Sequence, residues 1–251
     1  MTIHPDWIVP DWPAPAHVRA FVTTRAGGVS RGPYASLNRG PRTGDDPDAV
    51  AANRQRLLAA LPQAPRWLRQ VHGTAVVEAD GLAGEPEADA AIARRPETVC
   101  AVMIADCIPV LFTDRAGTFA AIAHAGWRGL AGGVLENVIR RLPGTPGDII
   151  SYLGPGIGPA AFEVGAEVRD RFMLRDAHAG SAFTPHGPGK WLADLFLLAR
   201  QQLLGAGVSG IHGGGWCTHS DPQRFFSYRR DGATGRMAAF IWRTGSRITN
   251  S

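Results

Sequence analysis

Three side chains that can ligate a metal or exchange a proton stand where β-type runs of the sequence are interrupted. Cys107 follows Ala105-Asp106 at the end of an apolar run, and His124 and His72 each lie beside glycine-containing turns. Two imidazoles and one thiolate can hold zinc tetrahedrally and leave a fourth position free for water or substrate. The spacing is not that of a zinc finger, and the alternative interpretation is that Cys107 is a core residue and both histidines are turn residues.

The register of a predicted hairpin brings two of these residues together. Asp114-Arg115-Ala116-Gly117 separates two apolar runs, and a two- or four-residue turn there places Cys107 opposite His124. Cβ atoms of opposed residues lie ~4.5 to 5.5 Å apart, which is close enough to share a proton or a metal. Pro109 cannot donate to the ladder, however, and a bulge at Pro109 would shift the pairing by one residue.

The same pair could act without a metal. A helix that begins near Cys107 and His124 would favour the thiolate and lower the cysteine pKa from its ordinary ~8.5. Cys107 would then be the nucleophile and His124 the base of a thiol hydrolase, with an amide of a cell-wall precursor as the substrate. A third possibility is a zinc protein without catalytic activity, which binds a partner.

Two arginine-bearing loops are suited to binding a small anion. Arg25 lies in Thr-Thr-Arg-Ala-Gly-Gly-Val-Ser, and Arg229-Arg230 lie in Ser-Tyr-Arg-Arg-Asp-Gly, where guanidinium groups could bind phosphate through paired donors. The alternative is that both loops are surface turns. The Gly-Pro-Gly-Ile-Gly-Pro segment at 154–159 could form a backbone anion nest, although a plain connection between strand and helix is the favoured interpretation.

Composition excludes several classes of protein. The chain has 251 residues with a formal net charge of +4, and its arginines are scattered, so no basic stripe indicates nucleic-acid binding. The longest apolar stretch, 99–112, is interrupted by Asp106 and is too short for a membrane span. Three cysteines and no readable secretory signal argue against a disulfide framework, so we expect a cytoplasmic protein.

Hydrophobic periodicity predicts more strands than helices. Neither a repeat nor a low-complexity linker divides the chain, so one domain over 1–251 is expected. Strands are predicted over 18–24, 66–71, 74–79, 88–93, 99–104, 110–113, 118–123, 149–153 and 236–243, and helices over 47–61, 130–142, 164–172 and 192–203. Because hairpins join most strands, we predict an α+β fold with antiparallel or mixed sheets covered by helices.

Several of these segments together form a recognisable pattern. TTRAGGVSRGPYASLN, DDPDAVAANR, QVHGTAV, ADA, IADCIPVLF, AAIAHAGWRG, GPGIG, FEVG and FFSYRRDGATGRMAA occur in this order over nearly the whole chain. The chain therefore closely resembles the YfiH-like laccase-domain family. The resemblance implies a single α+β domain with β-sandwich layers flanked by helices in an αββα arrangement. It also implies a metal site at His72, Cys107 and His124.

The resemblance implies an activity as well. Members of this family are described as purine nucleoside phosphorylases that also cleave methylthioadenosine and deaminate adenosine, and earlier descriptions call them polyphenol oxidases. We therefore predict a zinc enzyme that acts on adenosine, inosine, guanosine and methylthioadenosine with phosphate, as a monomer or weak homodimer. Copper is the alternative metal, and a copper-dependent polyphenol oxidase is the corresponding alternative function.

The resemblance also assigns roles to further residues. Arg230, before the Asp-Gly of the late block, corresponds to the arginine of the family and is predicted to hold phosphate. We predict substrate contacts for Arg25, Asn38 and Tyr228, and by resemblance of position Asp106 and Asp89 are candidates for protonating the leaving purine. The chain departs from the family pattern at Arg39-Gly40-Pro41-Arg42-Thr43 and at His219, which predicts an altered pocket wall.

Overall fold

Strands dominate the structure, a computed structural model that describes residues 3–245. The strands are β1 (Val18–Val22), β2 (Val76–Glu78), β3 (Ala90–Ala93), β4 (Cys100–Ile104), β5 (Ile108–Asp114), β6 (Ala120–Ala125), β7 (Ile149–Leu153), β8 (Glu163–Gly165), β9 (Phe183–Pro185), β10 (Lys190–Ala193), β11 (Gly210–Gly213) and β12 (Met237–Arg243). The α-helices are α1 (Pro47–Leu58), α2 (Trp127–Gly132), α3 (Val134–Ile139), α4 (Ala166–Met173), α5 (Leu195–Gly205) and α6 (Tyr228–Asp231). Short 3-10 turns cover Gly32–Tyr34, Pro146–Asp148 and Ala177–Ala182.

The strands form three sheets. The largest has the order β11-β7-β5-β6-β3-β2 and is mixed, because β11 pairs with β7 and β2 pairs with β3 in parallel while the central pairs are antiparallel. The second sheet, β1-β12-β4, and the third, β8-β10-β9, are antiparallel. Mixed sheets of this kind, with helices added, confirm the predicted α+β class.

Alternation of apolar side chains along the strands creates the layers. In β5, Leu111 packs with the second sheet, while Val110 and Phe112 pack under α2, α3 and α5 on the opposite face. The outer face of the second sheet carries Phe240 and Trp242, which pack with residues that include Leu57 of α1. The order of layers is therefore helix, sheet, sheet, helices, as the resemblance implied.

Among the predicted elements that differ from the structure, three do so for clear local reasons. The helix predicted over 130–142 is divided into α2 and α3 by Gly133, whose φ is +94°. The helix predicted over 192–203 begins only at Leu195, because Asp194 caps it and the residues before it form β10. The strand predicted over 66–71 is reduced to isolated bridges at Arg66 and Arg69. Within residues 3–245, no helix is long and apolar enough to cross a membrane.

Candidate metal centre

His72, Cys107 and His124 converge at one point of the fold. Their ligand atoms all lie within 4.8 Å of one another, and the two imidazole rings are 4.9 Å apart at 68°. His72 lies in the loop before β2, Cys107 in the bend between β4 and β5, and His124 near the end of β6. His124 is buried, Cys107 is half-buried and His72 is exposed, so the cluster is open on one side.

The predicted hairpin register is wrong by two residues. His124 pairs with Pro109, and Cys107 lies just outside β5. The connection is longer than a tight turn because Asp114 accepts a hydrogen bond from the Thr118 amide at 2.6 Å, and β6 begins only at Ala120. Side chains alternate along a strand, so a shift of two keeps Cys107 on the same face as His124. The convergence therefore survives the error in register.

Asp89 binds both histidine-bearing segments. Its Oδ1 accepts a hydrogen bond from Nδ1 of His124 at 2.8 Å, which leaves Nε2 of that ring for a metal. The same carboxylate accepts the backbone N–H groups of Val71, His72 and Gly73 at 3.1, 3.0 and 2.7 Å. His72 has a φ of +59°, a left-handed backbone conformation that residues other than glycine seldom adopt. One fully buried carboxylate thus orients one ligand and holds the backbone of the other.

Gly126 allows the cysteine and a histidine to come together. A Cβ atom on Gly126 would lie 2.7 Å from Sγ of Cys107 and 3.1 Å from Cδ2 of His72. The first distance is well below a van der Waals contact between two atoms, and the second is also shorter than an ordinary van der Waals contact. The glycine of the His-Ala-Gly-Trp segment is therefore a steric requirement of the cluster.

Charges within the cluster shift two pKa values in opposite directions. Burial by itself would raise the pKa of Cys107, but the charge of His124 and hydrogen bonds to His124 and His72 lower it to about 6. Burial would lower the pKa of His124, and the Cys107 and Asp89 charges instead raise it. Both shifts favour a thiolate at Cys107 next to an imidazolium at His124 when no metal is bound.

This donor set fits a soft or borderline metal ion. A thiolate with two imidazoles suits zinc or copper, and three protein ligands leave one coordination position free. The orientation of His124 by Asp89 is the carboxylate–histidine arrangement that commonly supports metal ligands. The same atoms also resemble a catalytic triad in which Cys107, His124 and Asp89 are linked in that order. His72 has no place in such a triad.

A pocket of about 610 Å³ opens onto the cluster. Its walls include three aromatic side chains, Trp127, Phe162 and Tyr228, and each has a guanidinium over its ring. The Cζ atoms of Arg128, Arg229 and Arg236 lie 4.5, 4.9 and 5.7 Å from the respective ring centres. Arg42 also lines the pocket, together with Gly40, Pro41 and Thr43, so the segment that departs from the family pattern forms part of the wall.

Arg230 is committed to protein groups outside this pocket. Its Nε and Nη2 donate to the Asp231 carboxylate at 2.8 and 2.7 Å. The remaining bonds go to the carbonyl groups of Thr218, His219 and Phe225. Arg230 does not contribute to the pocket wall among the residues described. The role of Arg230 in phosphate binding stays a prediction. Its hydrogen bonds in this structure connect parts of the 218–231 segment and so stabilise that segment.

The three predicted substrate contacts lie in different places. Tyr228 lines the pocket and is 61% exposed. Arg25 donates to the carbonyl groups of Ala35 and Pro222 and stacks on Phe226, away from the pocket wall. Asn38 is fully buried, and its Oδ1 accepts the amides of Gly40 and Arg236, which both belong to the wall. Asn38 thus shapes the pocket from behind.

The remaining candidates are held in structural contacts. Asp106 has a φ of +93°, and its two oxygens accept hydrogen bonds from Oγ1 of Thr218 and the amide of Arg229, both at 2.7 Å. The amides of the 154–159 segment are also engaged, since Gly156 donates to the Trp216 carbonyl and Ile157 to that of Asp106. These contacts leave no backbone nest for an anion at these two amides.

Two side chains have contacts at this site that sequence reasoning did not find. The sequence predicts Asp89 only as a candidate for protonating the purine, although its Ala-Asp-Ala block is part of the family pattern and could indicate a partner for a histidine. Arg236 carried no signal beyond its place in the last block, because an arginine gives no hint of which neighbours its donors meet. Cys100 is fully buried and Cys217 accepts a hydrogen bond from the Gly158 amide, so neither joins His72, Cys107 and His124 in the candidate metal site.

Comparison with known proteins gives one consistent family. The family described as multi-copper polyphenol oxidoreductase laccase matches residues 19–244. A purine nucleoside phosphorylase of Pseudomonas aeruginosa is 56% identical over 238 residues, which are 94% of this chain and 98% of that protein. The purine nucleoside phosphorylase YfiH of Escherichia coli is also 56% identical, over 241 residues, with the same two coverages. A crystal structure of a Neisseria meningitidis protein superposes with a TM-score of 0.92 at 52% identity and covers 96% of this chain and 100% of its own.

Proposed function

The chain belongs to the multi-copper polyphenol oxidoreductase laccase family, and because two relatives that are 56% identical to it are named purine nucleoside phosphorylases, we propose that it is a zinc-dependent enzyme of that kind. This identification agrees with the resemblance noted in the sequence. The reaction takes a purine nucleoside and phosphate, breaks the glycosidic bond, and forms the bond between phosphate oxygen and C1 of ribose. The phosphate gives up one proton as its oxygen bonds to the carbon, and the leaving purine takes one up. We extend the proposal to methylthioadenosine as a substrate and to the deamination of adenosine.

The position of His72 is the observation that best supports a metal in this proposal. A thiolate and one imidazole would suffice for a thiol enzyme, but a third ligand atom lies within 4.8 Å of the other two. The loop of His72 is held in a left-handed conformation by three hydrogen bonds to a single carboxylate. A fold that maintains this backbone conformation stabilises the meeting of all three ligands.

The pocket wall supports a flat, aromatic substrate. Trp127, Phe162 and Tyr228 line the pocket beside the cluster with aromatic side chains, and purine bases pack favourably against such side chains. A volume of about 610 Å³ is within the range of small-molecule sites and accommodates a nucleoside with phosphate. Zinc in such a site acts as a Lewis acid and activates water near neutral pH.

The residues of the chain orient the reacting groups. Asp89 fixes the ring of His124, and Asp106 holds the bend of Cys107 against the segment of Thr218 and α6. The carboxylates of both aspartates are engaged as acceptors, which favours positioning over proton transfer.

We propose that the enzyme acts in the cytoplasm, as one domain over 1–251 and as a monomer or weak homodimer.

Two measurements on the same preparation test the proposal. Elemental analysis of protein purified without added metal should give about one equivalent of zinc per chain. Inosine should be converted to hypoxanthine and ribose 1-phosphate only when phosphate is present. Zinc without phosphate-dependent turnover on any purine nucleoside would overturn the enzyme assignment, and one equivalent of copper with phenol oxidation would favour the polyphenol oxidase.

A specific geometry favours a second candidate, the metal-free thiol hydrolase. Cys107, His124 and Asp89 are linked in the order of nucleophile, base and orienting carboxylate, and the Cys107 pKa is lowered to about 6. This candidate predicts full activity after treatment with a chelator and rapid inactivation by iodoacetamide. Zinc loading should protect Cys107 from iodoacetamide if the metal enzyme is correct.

A further inference from the structure

We propose that Arg236 binds the phosphate substrate, in a subsite between the 40–43 segment and Tyr228 next to the metal cluster. This inference rests on the proposed phosphorolysis and specifies its anion site. The ligand class is an oxyanion with at least two free oxygens, for which inorganic phosphate is the reactive member. Bidentate contact with a guanidinium is the geometry that such an anion prefers.

The backbone around Arg236 holds its side chain against the pocket wall. The amide of Arg236 donates to Oδ1 of the buried Asn38 at 2.8 Å. Its stem packs on Gly40 so closely that a Cβ there would lie 2.8 Å from Cγ of Arg236. Nη1 donates to the carbonyl groups of Thr234 and Gly235, both at 3.0 Å. The guanidinium is thus positioned before any ligand arrives.

Arg236 retains free donors and lacks a carboxylate partner. Within residues 3–245, its Nε and Nη2 make no hydrogen bond and no acidic side chain lies within ion-pair distance of it. Arg230 differs in this respect, because its Nε, Nη1 and Nη2 all donate hydrogen bonds to the Asp231 carboxylate or to three backbone carbonyl groups. A half-buried guanidinium without a counter-ion is stabilised by an anionic ligand.

The charges around the subsite also favour an anion. Arg42, Arg128 and Arg229 line the same pocket as Arg236, while Asp106 is the one acidic lining residue in the described part of the chain. Both oxygens of Asp106 already accept hydrogen bonds from the protein. Arg236 also lines the same pocket as His72, Cys107 and His124, so its guanidinium and the three candidate metal ligands face one cavity.

The test is the phosphate dependence of inosine cleavage by the zinc-loaded enzyme. Arg236→Met keeps the apolar stem on Gly40 and removes the fork, so the KM for phosphate should rise at least ~10-fold, with zinc content and the KM for inosine unchanged. Arg236→Lys should recover only part of the loss, because one ammonium cannot reproduce two parallel donors. Arg95→Met is the matched control, since Arg95 is exposed and follows β3 at the end opposite to Asp89.

A second readout separates this inference from the proposed function. Inorganic phosphate should raise the Tm of the wild-type protein, and this shift should be lost in Arg236→Met and kept in Arg95→Met. If wild-type protein binds phosphate but cleaves no nucleoside, the proposed function fails while the subsite stands. If Arg236→Met keeps the wild-type KM for phosphate and the wild-type Tm shift with phosphate, the subsite is overturned. The same holds if only Arg230→Ala loses phosphate binding. Should Arg236→Met not fold, Arg236→Lys decides by the same two measurements.

Discussion

Nδ1 of His124 lies 2.8 Å from Oδ1 of Asp89, and this contact joins the ring of a candidate metal ligand to the carboxylate that also holds the His72 loop. Loss of one side chain should therefore disturb two of the three ligands at once. The arrangement of these candidate ligands thus depends on Asp89, which is not one of the three.

Asp89→Asn tests this dependence. The amide NH₂ of asparagine cannot accept the amide hydrogens that now approach the carboxylate, so zinc affinity should fall ~10- to 100-fold. Competition with a chromophoric chelator measures the change. Asp80→Asn is the control, because Asp80 accepts the amides of Arg94 and Arg95 away from the cluster. Equal zinc affinity in the two variants would contradict the positioning role.

The three cysteines should respond differently to substitution by alanine. Cys107→Ala should lose zinc and turnover, because it removes the one thiolate within the cluster. Cys217→Ala should retain both. Cys100→Ala should retain zinc and lower the free energy of unfolding by about 1 kcal/mol, since Cys100 is fully buried between the sheets. Zinc loss in folded Cys100→Ala would refute the ligand assignment.

Gly126→Ala should damage the cluster through sterics alone. The added methyl group would lie 2.7 Å from Sγ of Cys107, which forces the ligands apart. We expect zinc affinity to fall at least ~10-fold, with the secondary structure by circular dichroism unchanged. Gly205→Ala is the matched control, because no atom lies within 4 Å of the equivalent position at the end of α5. If Gly126→Ala binds zinc as tightly as the wild-type protein, Cys107 and His72 can move away from the added methyl group without loss of the site.

Zinc binding should release about one proton at pH 7.5. The lowered pKa of Cys107, about 6, means that its thiolate form is already present at this pH. The raised pKa of His124 means that its ring still carries the proton that a metal must displace. Zinc affinity should therefore rise with pH above neutrality until the His124 pKa is passed, and it should fall more steeply below about pH 6, where the thiolate is also protonated.

Calorimetry in buffers of different ionisation enthalpy counts the released protons. In Asp89→Asn the imidazolium loses its stabilising carboxylate, so the number released near neutral pH should decrease. Release of two protons by the wild-type protein would mean that Cys107 is a thiol in the metal-free state. Release of none would mean that His124 is already neutral.

Much of this site could be predicted from residue types and short motifs. Cys107, His72 and His124 are identifiable because each stands where an apolar run is interrupted, the two histidines near glycine and the cysteine after Asp106, and these features are local. The α+β class also follows from local patterns, since alternating strands and amphipathic helices can bury their apolar faces in few ways, whereas the αββα order of layers came from the family resemblance. The predicted hairpin failed in register because side-chain bonds such as Asp114 to Thr118 lengthen a connection in ways that periodicity does not encode.

Tertiary structure alone decided which polar groups are free to act. Arg230 and Arg236 lie in the same block of sequence, yet Asp231 and three carbonyl groups occupy the first, while the second retains donors at the pocket. Asp89 serves both histidines because β3, β6 and the loop of His72 meet in space. A hydrogen bond depends on the position of both partners, and for residues distant in sequence only the packed sheets determine those positions.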